Sequence, residues 1–364
     1  MKKVRMLAAM FAVAFYPLGV QELLADEGRI PIFGTITISQ AGHYILTRDI
    51  PDPAAPAANV ITIAADNVSV DLNGRTISPA AGAAGISITA PRKGITVLNG
   101  RIVGGAVGII SGSGLDPVSI RIESVEVAGQ SSNGIIINNG GYVEVIGCHV
   151  HDVGAVGINV ANSATSFGGR FIGNTLERIT NAGISLNGLL AGEVRGNFLK
   201  EFGSVAGGVN GIQVSEGAGV NAGGNLVAAN VVSSLPSGTD DSGIVIATTS
   251  PNNLLIENVV TRNGSRGIRS LADGTRLERN VANQNGSHGI EVGLGATGAF
   301  NHLEENQAQR NLAAGACGIF FTNGNSHTYR NNNTRGNTIV GPTAAACGGG
   351  LGTNMDAGGN ITAP

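Results

Sequence analysis

Asn285-Gly-Ser-His-Gly-Ile290 is one turn of a pattern that recurs through most of this 364-residue chain. Asn263-Gly-Ser-Arg-Gly-Ile268 lies upstream and differs from it at a single position. Gly-Ile pairs of this kind recur between Gly85 and Gly318 with a mean step of about 26 residues. A fixed period of roughly 20 to 50 residues is typical of solenoids and related repeat arrays. The stretch therefore predicts a repeat protein.

The amino-acid composition indicates which kind of repeat protein this is. Glycine supplies 57 of the 364 residues, and charged residues make up only 13%, against a usual charged share of about 25%. Because glycine reaches positive φ without steric cost, this composition suits short apolar strands joined by tight turns. It excludes coiled coils and helical bundles. The net charge of −3 gives the molecule as a whole no electrostatic reason to bind nucleic acid.

The segments between the turns have the pattern of strands. Val60-Ile-Thr-Ile-Ala64, Val68-Ser-Val-Asp-Leu72 and Ile86-Ser-Ile-Thr89 place β-branched residues at alternate positions, and helical periodicity is missing. A leucine-rich repeat would need leucines at fixed positions, which this chain lacks. We therefore predict an all-β protein, a single-stranded right-handed parallel β-helix of about 11 coils with an N-terminal cap.

A second set of positions carries asparagine at one phase of the repeat. An asparagine at the same bend of successive coils can take up the left-handed conformation. Its amide can also donate to the asparagine of the neighbouring coil, which would build a structural ladder. The alternative is a row of ligand-binding amides. The predicted ladder consists of Asn174, Asn197, Asn230, Asn258, Asn280, Asn306 and Asn332.

The termini predict export and a capped solenoid. Lys2, Lys3 and Arg5 precede an apolar run that is shorter than a membrane-spanning helix, as in a secretory signal peptide. We assign residues 1–25 to the signal, 26–58 to the N-terminal cap and first strands, 59–340 to the β-helix and 341–364 to a Gly/Ala-rich C-terminal cap or tail. The mature chain would then be periplasmic or extracellular, without a transmembrane segment.

Three cysteines give no metal-ligand spacing. In an exported protein, Cys317 and Cys347 are about one coil apart and can form a disulfide, which would leave Cys148 as a small buried residue. No metal site and no cofactor is predicted.

The repeat resembles a known group of proteins. The Gly-Ile pairs and the asparagine positions, together with Val68-Ser-Val-Asp-Leu-Asn-Gly74 and Ile95-Thr-Val-Leu-Asn-Gly100, are similar to right-handed parallel β-helix repeat proteins of the pectate-lyase-like superfamily. That resemblance covers roughly residues 35 to 340. It implies a fold shared by polysaccharide lyases, hydrolases, epimerases, phage tailspikes and adhesins. The fold alone does not determine the chemistry.

One group of residues near the Gly-Ile turns is a candidate catalytic site. Asp240 and Asp241 precede one turn, and Arg266 and His288 occupy one position in the next two turns. The grouping resembles the polygalacturonase pattern, which implies carboxylates acting as general acid and as base toward water. The pattern's Asn-x-Asp coil is missing, and two coils rather than one separate the aspartates from His288. The alternative is that all four are solvated turn residues.

Arginine is concentrated in the same part of the chain. Resemblance to the polysaccharide lyases implies cations that contact uronate groups, because guanidinium binds carboxylate with two hydrogen bonds. The alternative is a charged edge that discourages aggregation. The predicted substrate-binding residues are Arg262, Arg269, Arg279 and Tyr329.

Two functions follow from these observations. In the first, the protein binds or processes an extracellular, acidic polysaccharide, and an enzymatic activity would be that of a lyase or glycoside hydrolase. In the second, it is a non-catalytic scaffold or adhesion protein at the surface or in the periplasm. The absence of tryptophan favours the second, since sugar sites usually offer flat aromatic rings.

Overall fold

The structure, a computed structural model, describes residues 28–51, 59–89, 92–112, 118–161, 166–203, 209–217, 222–234, 242–293, 299–312, 315–322, 326–337, 346–347 and 355–361. Within these ranges the chain winds into a parallel β-solenoid with three faces, which we call A, B and C. The predicted all-β parallel solenoid is confirmed. The same ranges contain no helix long and apolar enough to cross a membrane. The predicted signal peptide lies outside the described residues.

Face A is a sheet of 13 strands, each paired in parallel with the strand of the next coil. Its strands are β2 (Ile36–Ile38), β4 (Ile61–Ile63), β7 (Ala84–Ile88), β9 (Val107–Ser111), β11 (Ile135–Asn138), β14 (Ile158–Ala161), β17 (Ile184–Asn187), β20 (Asn210–Ser215), β23 (Ser242–Ile246), β26 (Ile268–Ser270), β29 (Ile290–Val292), β31 (Ile319–Phe321) and β33 (Ala346–Cys347).

Faces B and C are two parts of a second sheet, which holds 21 strands within the described ranges. Face B contains β1 (Ile30–Ile32), β3 (Gly42–Leu46), β5 (Val68–Asp71), β8 (Ile95–Val103), β10 (Val118–Ala128), β12 (Gly140–Ile146), β15 (Gly168–Ile172), β18 (Glu193–Arg195), β21 (Leu226–Ala228), β24 (Leu254–Ile256), β27 (Arg276–Glu278), β30 (His302–Glu304), β32 (Thr328–Arg330) and β34 (Met355–Asp356). Face C contains β6 (Thr76–Ile77), the later parts of β8 and β10, β13 (His149–Val153), β16 (Thr175–Ile179), β19 (Phe198–Phe202), β22 (Val231–Ser233), β25 (Val259–Thr261) and β28 (Val281–Asn283).

Alternation along each strand places the core inside the coil. In β17, Ile184 and Leu186 are fully buried, whereas Ser185 and Asn187 point outward. Ile290 of the opening stretch is likewise buried, as predicted. Gly289 is required for space, because a Cβ there would lie 2.7 Å from the Asn311 Nδ2 atom and 2.8 Å from the Ala282 carbonyl oxygen.

The predicted asparagine ladder forms the corner between faces B and C, and Asn360 extends it by one coil. Asn258 is typical: its Nδ2 donates to the Val227 carbonyl oxygen at 2.8 Å and to Asn280 Oδ1 at 2.9 Å. Its own Oδ1 accepts from the backbone N–H and the Nδ2 of Asn230. One expectation was wrong, since the residue before each ladder asparagine has the positive φ, as at Glu257.

Two further ladders stabilise the other corners. Asn263, Asn285, Asn311 and Asn337 form one before face A, with Asn263 Nδ2 donating to Asn285 Oδ1 at 2.9 Å. The other precedes face B and includes Asn225, Asn253 and Asn301, and its last position is His327. Along these ladders the side chains accept hydrogen bonds from buried backbone N–H groups of the neighbouring coil, which satisfies donors that a buried turn would otherwise leave unpaired.

The ends of the solenoid extend into the predicted caps. β1 and β3 pair in parallel, and β3 continues in parallel to β5, so the first predicted strands already stack as coils. At the other end, β34 pairs with β32 inside the segment predicted as a cap or tail. The exact domain boundaries remain a prediction.

The cysteines agree with the sequence where they are described. Cys148 is a free and buried thiol, and its burial raises its pKa to about 11. The side chain of Cys347 lies outside the described part of the chain, so its disulfide with Cys317 stays a prediction.

We expect Asn258→Ala to lower the free energy of unfolding by about 3 kcal/mol, because it leaves the buried Val227 carbonyl and Asn230 donors without partners. Urea unfolding followed by circular dichroism measures the loss. Asn360→Ala is the matched control, because Asn360 is the last ladder position and is only partly buried. Equal losses for the two variants would contradict the ladder's role.

We expect stability to fall as pH drops from about 6.5 towards 4. Burial lowers the pKa of His327 to about 4 from the usual 6.5, against a small opposing effect of Asp273. The unfolded chain therefore binds a proton that the folded chain excludes, and protonation removes the Nδ1 acceptor of the Asn301 N–H. His327→Asn should reduce this acid sensitivity. An unchanged pH profile of the thermal midpoint would contradict the assignment.

Candidate functional site

Arg266 and His288 lie in one column at the start of face A. The Gly243 N–H donates to the Arg266 carbonyl oxygen, and the Gly267 N–H donates to that of His288, each at 3.0 Å. The two residues are therefore on successive coils, as the repeat predicts. Asp240 and Asp241 lie outside the described residues, so their part in this candidate site stays a prediction.

The centre of the described cluster is Glu291, which sequence reasoning did not select. Its side chain is only 3% exposed. Arg269 Nε donates to Glu291 Oε1 at 2.9 Å, and Arg266 Nε donates to Oε2. Two guanidinium groups thus compensate one buried carboxylate, which would otherwise be costly to bury. The opposite charges of Arg269 and Glu291 at equivalent strand positions were the signal available in the sequence.

His288 is held as a neutral ring beside this ion-pair cluster. Its ring stacks on Phe320 with centroids 4.2 Å apart and planes 3° from parallel. Nδ1 accepts from the Cys317 N–H at 3.1 Å, so the neutral ring carries its proton on Nε2. Burial lowers the His288 pKa; Glu291 opposes this effect and Arg266 adds to it. The imidazole is therefore uncharged at neutral pH.

Two other predicted site residues lie elsewhere. Arg279 is at the corner between faces B and C, where its Nε donates to Glu257 Oε1 at 3.2 Å. Tyr329 packs against the core beside Phe321, with ring centroids 5.5 Å apart, and burial raises its pKa. The structure does not bring them to the face-A cluster, and their binding roles remain predictions.

Arg262 lines a different feature, a groove of about 710 Å³ at the corner between faces C and A. We call it the basic groove. Lys200, Arg262 and Arg310 line it, and Glu201 contributes one negative charge. Its other described lining residues are Ser233, Ser234, Asn263, Gln284, Gly286 and Leu312. Leu312 is 65% exposed, so the groove combines cations with an apolar wall.

Two cations of the basic groove, Arg262 and Arg310, occupy a corner position with positive φ. Arg262, Gln284 and Arg310 have φ of 59°, 58° and 53°, and they stack one per coil. Glycine has positive φ at this corner near both ends of the solenoid, at Gly129 and Gly336. Non-glycine residues rarely adopt this conformation. Asp152, Arg178 and Glu201 also adopt it at this corner in earlier coils, so the position belongs to the solenoid corner, and the basic groove is distinguished by its side chains.

The guanidinium groups of the basic groove are not neutralised by carboxylates. Among the described residues, Arg262 Nε donates only to the neutral Gln284 Oε1, at 3.4 Å. Neither Arg262 nor Arg310 forms a salt bridge with a carboxylate within the described ranges, whereas Lys200 lies 3.3 Å from Glu177. Two cations therefore remain available for an anionic ligand. The described ranges contain no cluster of His, Cys, Asp or Glu suited to a metal ion.

Comparisons with known proteins agree with this architecture. The family model of the right handed beta helix region matches residues 133–308. No curated protein sequence matches the chain. The crystal structure of the periplasmic alginate epimerase AlgG aligns with a TM-score of 0.59 and 15% identity, over 83% of this chain and 76% of that one. The pectate lyase Pel9A aligns with a TM-score of 0.49 and 14% identity, over 88% and 80%.

Identities this low establish the fold and leave the chemistry to the site. The three-faced parallel winding, the asparagine corner and the family match agree with one another. The described chain is a parallel β-solenoid, and its residues 133–308 match the right handed beta helix region.

Proposed function

We propose that this protein binds an acidic polysaccharide in the basic groove. The observation that carries the proposal is the pair of guanidinium groups, Arg262 and Arg310, that lack a carboxylate partner within the described ranges and line an open groove. Guanidinium binds carboxylate with two parallel hydrogen bonds, so each can hold one uronate group.

The spacing of these cations suits a linear polyanion. Arg262 and Arg310 are separated by the coil of Gln284, so their backbones lie roughly 10 Å apart along the solenoid axis. A chain with a carboxylate on successive sugars, lying along the axis, meets cations and the neutral amide in turn. The exposed Leu312 offers an apolar surface to the sugar rings.

The similarity to the periplasmic alginate epimerase supports the substrate class and an exported location. The basic and then apolar start of the chain supports the same location. We therefore place the protein outside the cytoplasm, in the periplasm or the extracellular space.

Two alternatives concern the face-A cluster. A processing role is favoured by the neutral His288, which can accept a proton on Nδ1 if the Cys317 N–H releases it. A non-catalytic scaffold is favoured by the ion pairs of Arg266 and Arg269 to the buried Glu291, which occupy both guanidinium groups. Predicted roles of Asp240 and Asp241 belong to the first alternative.

We expect the Arg262→Gln, Arg310→Gln double variant to bind polygalacturonate or alginate at least tenfold more weakly than the wild type, because it removes both free cations. Isothermal titration calorimetry at low salt measures this. Arg75→Gln is the matched control, since Arg75 is exposed on an N-terminal coil. Equal affinity of the double variant and the control, or equal binding of neutral dextran, would contradict the proposal.

Product assays separate processing from scaffolding. We expect a processing enzyme to generate unsaturated products, seen by ultraviolet absorbance, or new reducing ends, and His288→Gln to abolish them while the basic groove still binds. Binding by the wild type without any product, over pH 5 to 8, would instead support the scaffold.

A further inference from the structure

The outward residues of face B change from charged to apolar and back to charged over four successive coils. In one outward column the residues are Glu193, Leu226, Leu254 and Arg276. In the neighbouring column they are Arg195, Ala228, Ile256 and Glu278, of which Ala228 is only 2% exposed. Two coils with apolar outward residues therefore lie between two charged coils. The charged coil on one side carries Glu193 and then Arg195, whereas the one on the other side carries Arg276 and then Glu278.

The apolar surface continues across the asparagine corner. Phe198, Val231 and Val259 of face C point outward and are 40%, 38% and 37% exposed. Together with Leu226, Leu254 and Ile256, they form what we call the apolar panel. An outward apolar surface on several adjacent coils is unusual for a face that only meets water, and it marks an interaction site.

We propose that a second copy of this chain docks on the apolar panel, related by a two-fold axis that runs along the strands midway between the coils of Leu226 and Leu254. Such an axis keeps each outward column facing the same column of the partner and reverses the order of the coils. Leu226 then faces the partner's Leu254, and Ala228 faces the partner's Ile256. The contact is isologous, the commonest kind in homo-oligomers.

The reversed charges become complementary under this symmetry. Glu193 faces the partner's Arg276, and Arg195 faces the partner's Glu278, and each pair occurs twice. Within one copy, Arg195 lies 3.5 Å from Glu193, and Arg276 pairs with Glu278. The contact would therefore join these ion pairs across the interface, and the arginine side chains, at 55% and 61% exposure, can reach the partner. No carboxylate faces a carboxylate in either column: Glu144 faces Thr328 of the partner, and Glu304 faces Ile172 of the partner.

The sizes of the corner residues are also complementary. Gly196, Ala229, Glu257 and Arg279 occupy the left-handed position of these four coils. The two-fold axis sets Arg279 against the partner's Gly196 and Glu257 against the partner's Ala229, so each long side chain meets a short one. Binding of an unrelated partner would not require that the charges and side-chain sizes on the two sides of the axis complement each other. This complementarity therefore favours a second copy of the chain. Face A and the basic groove remain free.

We expect the full-length protein to sediment as a dimer in analytical ultracentrifugation at tens of micromolar. The Leu226→Glu, Leu254→Glu double variant should be monomeric, because it brings carboxylates together at the axis. The matched control is Ile110→Glu, Ile136→Glu, which changes two outward residues on adjacent coils of face A. A monomeric wild type, or a dimeric leucine variant, would overturn the proposal.

A charge-swap experiment tests the orientation independently of folding. Glu193→Lys alone and Arg276→Glu alone should each dimerise at least tenfold more weakly than the wild type, because each homodimer contains two like-charge contacts. Mixed in equal amounts, they should form a heterodimer in which both contacts are restored, resolved by native mass spectrometry. A mixture no more dimeric than its components would exclude this axis.

Discussion

Satisfying buried amides at the corners of the coil is the constraint on which the whole structure depends. Every coil turns three times, and each turn carries backbone donors out of the β-ladder and into the interior. A buried donor without a partner costs about 1 to 3 kcal/mol, and the cost would recur in every coil. Asparagine solves the problem because one side chain both accepts from the coil before it and donates to its neighbours, as Asn258 does. His327 can replace it only through the Nδ1 lone pair.

The solenoid leaves its outer columns free, and they differ from one face to the next. Once the inner positions and corners are fixed, an outward residue contacts only the coils above and below it. Face A concentrates an ion-pair cluster and a stacked imidazole, the corner between faces C and A carries unpaired cations, and face B carries apolar coils bordered by charge. Binding and self-association can therefore occupy separate surfaces of one regular framework.

The fold could be predicted from the sequence because the same buried positions recur in successive coils. Ile290 and the ladder asparagines occupy positions that recur along the repeat, so aligning the repeats identifies them. The cluster at Glu291 is not repeated: whether its carboxylate is solvated or buried depends on how Arg266 and Arg269 from the preceding coil turn towards it. Asn263 and Asn285 stand at equivalent positions of the repeated stretch, so the sequence shows that they recur. Their role as a ladder became clear only from their position at the corner before face A. Asp240 and Asp241 lie outside the described residues, so their part in the candidate site stays a prediction.

The left-handed position at the corner between faces C and A has an evolutionary consequence. This corner uses glycine at Gly129 and Gly336, whereas long or charged side chains adopt positive φ there both in earlier coils, at Asp152, Arg178 and Glu201, and in the basic groove, at Arg262, Gln284 and Arg310. Each non-glycine residue in this conformation costs on the order of 1 kcal/mol. Glycine would avoid this cost. At Arg178 the ion pair with Asp152 offsets it, whereas Arg262 and Arg310 form no such ion pair within the described ranges. Comparing which coils of related chains keep a long side chain there without an ion pair would map the ligand's footprint.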